Sequence, residues 1–95
     1  MISFTVRMTF APEDHDHVAE VLRPLTEASR MEPGCVSYIP HFVEGDGSTV
    51  LIYEQYKDEA ALEHHRNTPH FQQYAVAGLF QMMRGREMQS LTAIA

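Results

Sequence analysis

Nine residues near the start of the chain alternate without a break. Ile2, Phe4, Val6, Met8 and Phe10 are apolar, and Ser3, Thr5, Arg7 and Thr9 between them are not. Successive side chains of a strand leave on opposite faces, so the pattern predicts a β-strand with one buried face. Such a strand needs neighbours at its edges and a layer over its apolar side. In a chain of 95 residues those must come from one small domain, expected to span residues 1–95.

The rest of the chain supplies them in order. Ala11-Pro12-Glu13-Asp14 is a helix entry: proline loses nothing in the first turn, and two acids suit the positive end of the dipole. Val18, Val21, Leu22, Leu25 and Ala28 recur at helical spacing, so a helix is expected over about 12–32, with a kink between Glu20 and Pro24. Glu32-Pro33-Gly34 stops it. A second strand over Val36–Glu44, a turn at Gly45-Asp46-Gly47-Ser48 and a third strand over Thr49–Lys57 read as an antiparallel hairpin. Pro40 cannot donate to a ladder, which puts the second strand at an edge or a bulge. Asp58 caps a short helix over Glu59–Asn67, and Thr68-Pro69 opens another over 69–79. The tail, Arg84 to Ala95, alternates weakly and reads as a last strand.

The order β-α-β-β-α-(α)-β predicts an α+β fold of ferredoxin-like type, a four-stranded antiparallel sheet with helices on one face. The other face matters for assembly. Cys35, Ile39, Val43, Leu51 and Tyr53 fall on one parity, and Val36, Tyr38, Phe42, Val50, Ile52 and Tyr56 on the other. Both are substantially apolar, whereas a solvated face would be polar. The simplest cover is the same face of a second copy, which predicts a homodimer through the sheet.

Composition removes several classes. Thirteen acids against seven bases leave a formal charge of −6, without the positive footprint of a nucleic-acid binder. The single cysteine forbids an intrachain disulfide. No apolar run reaches membrane-spanning length, and the first residues do not follow a signal-peptide pattern, so a soluble cytoplasmic protein is expected. His15-Asp16-His17 and His64-His65 do not place two imidazoles on one helix face, and no metal site is assigned.

Several pieces then fall in a particular order. Glu32-Pro33-Gly34-Cys35 is followed by Val36-Ser37-Tyr38, the hairpin, Tyr53-Glu54-Gln55-Tyr56, and the pair of short helices carrying Ala61, Leu62, His65, Pro69, His70 and Phe71. The chain resembles the antibiotic biosynthesis monooxygenase domain, of the small quinol monooxygenase-like kind, in the dimeric α/β barrel superfamily. The resemblance covers about residues 1–95 and is most specific over 32–74. It implies a subunit that pairs through its sheet and a ligand cavity between sheet and helices. It also implies oxidation of a quinol or polycyclic phenol by molecular oxygen without metal, flavin or haem. An electron-rich phenolate can itself reduce oxygen, so the protein binds, deprotonates and shields it. The anthrone-oxidising members carry an Asn and a Trp where this chain has Ile52 and Tyr56, and Arg7 stands near the strand-one Asn of the haem-degrading branch. With no Trp in the chain, haem degradation is disfavoured. A non-catalytic ligand-binding dimer, or an isomerase or lyase using the same cavity, are the alternatives.

His65, Glu54 and His70 are the catalytic candidates. Imidazole titrates near pH 6.5, roughly where a base for a phenolic proton is needed; the plainer roles are packing for His65 and anchoring a helix start for His70. Glu54 shares its strand face with Ile52 and Tyr56, where burial would raise its pKa; the plainer role is an ion pair with Arg7 or Arg84. Tyr38, Ile52, Tyr56, Phe71 and Tyr74 are expected to line the substrate pocket. Cys35 has no flanking group that would activate it.

Overall fold

A computed structural model describes all of residues 1–95. Four strands, β1 (Ile2–Thr9), β2 (Cys35–Val43), β3 (Asp46–Tyr56) and β4 (Gly85–Leu91), form one antiparallel sheet in the order β2-β3-β1-β4. A 3₁₀ turn (Pro12–Asp14) leads into α1 (His15–Arg30); α2 is Glu59–Arg66. The third helix, α3, is π-wound over Phe71–Leu79 and ends in an α-helical turn, Phe80–Met82. This is the expected ferredoxin-like α+β fold.

The alternation of β1 is realised as written. Phe4, Val6 and Met8 are buried against the helices, in register with Glu54, Ile52 and Val50 of β3. Val18, Leu22 and Leu25 of α1 meet them from above, with Ala75 and Leu79 of α3. Pro24 does not end α1, which runs on for six residues beyond it. Pro40 sits on β2, an edge strand, where its missing N–H breaks no inner ladder.

Several boundaries differ from the sequence expectation. The hairpin turn is Glu44-Gly45 and not Gly45–Ser48: β3 begins at Asp46, whose carboxylate accepts from Ser48 N and Thr49 Oγ1 and so satisfies the start of the strand. Gly45 has φ +80°, which glycine adopts without strain. Helix α3 ends three residues beyond the expected 79, at Met82, and β4 stops at Leu91. A register shift between Cys35 and Ser37 inverts the two residues before it. Cys35 is paired with Tyr56 and packs against the core, while Val36 is exposed.

The segment Glu32–Cys35 is pinned from α2. Gly34 lies so close to this helix that a Cβ added there would collide with Ala61. Gly34→Ala is therefore expected to lower stability by about 1–3 kcal/mol, read as a urea midpoint shift. At the start of α2, Asp58 Oδ1 accepts from Ala61 N at 2.8 Å. Asp58→Ala is expected to cost about 1 kcal/mol in the same measurement.

Candidate active site

The candidate residues converge between the sheet and the two short helices. Glu32 stands where the chain leaves α1, its side chain almost fully buried. His65 comes from the last turn of α2, and His70 from the residue before α3. His65 Nδ1 lies 2.8 Å and His70 Nε2 2.6 Å from the same oxygen, Glu32 Oε2. A carboxylate only accepts, so both imidazoles donate through those nitrogens. Glu32 Oε1 is buried with no partner.

On the other side of His65, Nε2 stands 3.8 Å from Glu54 Oε1, and the Tyr56 hydroxyl donates to that oxygen at 2.7 Å. Glu54 and Tyr56 leave β3 on one face, two residues apart, as the strand period requires. Three aromatic rings enclose the His65 ring, those of Tyr56, Phe71 and Tyr38, with centroids 5.1, 5.2 and 5.8 Å away. Thr68, whose hydroxyl donates to the His65 carbonyl and accepts from Phe71 N, sets the angle between α2 and α3.

This packing tunes the ionisable groups. Burial pushes the Glu54 carboxyl up to about 7, opposed chiefly by the Tyr56 hydroxyl. Burial also lowers the pKa of His65, opposed by its bond to Glu32, which favours the neutral imidazole. Burial, with Glu54 as second cause, holds the Tyr38 and Tyr56 phenols well above their ordinary value. Cys35 is pushed up to about 11 by burial and by Glu32 and Glu54, which leaves it a thiol without nucleophilic activation.

The raised Glu54 pKa carries a sign. The folded state holds this proton more tightly than the unfolded chain, so stability is lost as pH rises through about 7. Lowering the pH from 8 to 6.5 is expected to raise the Tm of the native protein relative to Glu54→Gln. Equal pH slopes for the two proteins in differential scanning fluorimetry would show that Glu54 is an ordinary carboxylate.

Glu54, His65, Tyr38, Ile52 and Phe71 all border one cavity of about 40 Å³, closed by Leu25, Leu79, Phe80 and Arg86. That is room for a few waters or for dioxygen. Of the expected lining residues, Tyr56 is wholly buried beside Glu54, and Tyr74 packs at the margin of the core; neither borders the cavity. His70 is reached through Glu32. The plainer alternative for Glu54, an ion pair with Arg7 or Arg84, is not formed. Arg7 is paired in register with Leu51, on the opposite sheet face from Glu54. Two residues were missed. Glu32 enters the sequence reading as part of a helix stop and of the ordered Glu32-Pro33-Gly34-Cys35 motif, with no site role, although an acid in so tight a turn is a usable signal. Arg86, stacked 5.1 Å over the Phe80 ring at the cavity wall, had none.

His15 and His17 part company as expected. His15 Nδ1 bonds Gly47 O and its ring stacks on Phe42, while His17 faces Glu20 at the surface. Glu32, His65 and His70 are different: their donor atoms all lie within 4.8 Å of one another, a set able to hold a metal ion. An open groove of about 280 Å³ between α1 and the β2–β3 edge contains none of these residues. No helix is long and apolar enough to cross a membrane.

Fold and site together define a small α+β domain that buries a carboxylate–imidazole pair beside an apolar chamber. The family profile described as antibiotic biosynthesis monooxygenase matches residues 1–77, and the chain belongs to that family. It is 31% identical over 78 residues to "Putative monooxygenase YcnE" of Bacillus subtilis, which covers 82% of each chain. It is 32% identical over 63 residues to protein sll1783 of Synechocystis, covering 66% of this chain but only 43% of that longer one. Among solved structures, PA3566 from Pseudomonas aeruginosa superposes with a TM-score of 0.90 at 31% identity, over 99% of this chain and 94% of that one. A crystal structure of an antibiotic biosynthesis monooxygenase gives a TM-score of 0.92 at 27% identity, over the whole of both chains.

Proposed function

We propose that this protein is a monooxygenase that oxidises a quinol or polycyclic phenol with molecular oxygen, without an added cofactor, and that His65 is its general base. The observation that carries the proposal is the setting of His65. Its Nδ1–H is held by Glu32, which fixes the tautomer and leaves the Nε2 lone pair beside Glu54 at the chamber. The same logic orients the histidine of a hydrolytic triad.

For a hydroquinone the balance is quinol plus dioxygen giving hydroxyquinone plus water. His65 Nε2 takes a phenolic proton. The phenolate passes one electron to oxygen, and the resulting semiquinone and superoxide join in a C–O bond. The imidazolium returns its proton to the peroxide. Loss of the ring C–H proton and cleavage of the O–O bond then leave a carbonyl and water. Glu54, poised to exchange a proton near neutrality, is placed to carry the C–H proton to the leaving hydroxide. The apolar walls exclude bulk water from the radical pair. The chamber of about 40 Å³ holds oxygen but not a ring, so the substrate enters by displacing the half-buried Phe71 and Phe80 of α3.

The experiment is oxygen uptake with a panel of hydroquinones and anthrones, with ¹⁸O₂ and mass analysis of the product. One labelled atom per product is expected. Turnover without oxygen would instead make the protein an isomerase or lyase, and a ligand recovered unchanged would make it a binding protein.

The same reading includes a dimer through the free sheet face. Ile39, paired with Tyr53, is 42% exposed there, and Leu91, on the β4 edge strand, is 41% exposed. Leu51→Glu with Tyr53→Lys is expected to convert a dimer to a monomer in light scattering, by placing charge in an apolar contact.

A further inference from the structure

We propose that Glu32, His65 and His70 also form a binding site for a divalent transition-metal ion, Zn²⁺ being the ion this donor set suits. Two independent features point to it. Two imidazoles from separate elements flank one carboxylate oxygen of a third, at 2.8 and 2.6 Å, closer than the ligands of a tetrahedral Zn²⁺ stand by roughly half an ångström. And Glu32 Oε1, fully buried, has no partner at all. A buried carboxylate oxygen left bare is costly, and a cation bridging both oxygens removes that cost. The imidazole and carboxylate donors suit zinc, copper, nickel and iron rather than calcium or magnesium. His70, 19% exposed, is the entry side and the side on which a fourth ligand, water, would stand.

Binding has a consequence for His65. Each neutral imidazole carries one proton. In the hydrogen-bonded state His65 keeps it on Nδ1 and offers the Nε2 lone pair to the chamber. A metal takes the Nδ1 lone pair, so the proton must sit on Nε2, and His65 then faces the chamber as a donor. No proton is lost or gained, but the base is gone. Zinc is thus an inhibitor of the oxidation. This second step rests on the proposed role of His65; the binding itself does not.

The test is isothermal titration of chelator-stripped protein with ZnCl₂, together with the visible spectrum of the Co²⁺ form. One ion per chain is expected, with His70→Ala weakening affinity at least tenfold. His70→Cys should restore binding and add a sulfur-to-cobalt charge-transfer band. The double variant His15→Gln/His17→Gln should bind like the native chain. Circular dichroism and melting curves check that each variant is folded. Absence of saturable one-to-one binding, equal affinity in folded His70→Ala, or loss of binding in the His15/His17 variant would each overturn the site. Zinc binding to the native chain with undiminished oxidation would keep the site and remove His65 as base. Oxidation that depends on His65, with no zinc binding, would do the reverse.

Discussion

His65→Gln is expected to lower the rate of the proposed quinol oxidation by about 10²–10⁴-fold, the span that one positioned acid–base group contributes. The substitution keeps a polar side chain of similar reach, so the bond to Glu32 can be replaced while the titrating nitrogen is lost. Glu32→Gln is the informative companion. It leaves His65 in place and removes the acceptor that selects its tautomer, since an amide can meet Nδ1 as donor or as acceptor. Its rate should fall nearly as far, with KM much less affected, because Glu32 touches His65 and His70 and not the cavity. Oxygen-electrode kinetics on folded variants read both. A His65→Gln protein of native rate would place the base elsewhere, and Glu54 would be the next residue to test.

Leu25→Ala is expected to cost about 2–5 kcal/mol of stability, the range for truncating a buried leucine. Leu25 is 1% exposed, sits on the inward stripe of α1 and forms part of the chamber wall. Losing three carbons there removes contacts with β3 and α3 and enlarges the chamber directly. A urea unfolding curve measures the first effect. The second is a shift in substrate preference, with larger fused-ring phenols gaining in kcat/KM relative to single-ring quinols. If the destabilisation is found without any change in preference, the cavity beside Leu25 is a packing defect and not the binding chamber.

Much of the fold could be read from local pattern. The alternation of Ile2 to Phe10 places the same residues inside that the structure buries, because the two-residue period of a strand depends on nothing beyond the strand. Asp58 caps α2 and Thr68 caps the entry to α3, since capping is settled within four residues. The errors fall where neighbours intervene. The reading of Cys35 and Val36 was inverted by a one-residue shift in pairing, which flips everything on its far side and leaves no mark in the chain itself. The π winding of α3 brings Phe71, Ala75 and Leu79, four apart, onto the chamber, and Tyr74, expected there beside Phe71, packs at the margin of the core.

The candidate site divides the same way. His65, His70 and Glu54 could be nominated from residue type, strand parity and the ordered motifs around them. Their joint chemistry could not. Glu32 lies 33 residues from His65 and 38 from His70, and one carboxylate oxygen meets both only because the Gly34 contact with Ala61 holds the end of α1 against α2. The chain alone determined which stretches would become strands and helices and which faces they would bury, because those depend on periods of two and of about four residues. Only the tertiary structure decided which nitrogen of His65 is held, which is free, and which oxygen of Glu32 stays bare, because those depend on ångström distances between segments that sequence order keeps far apart.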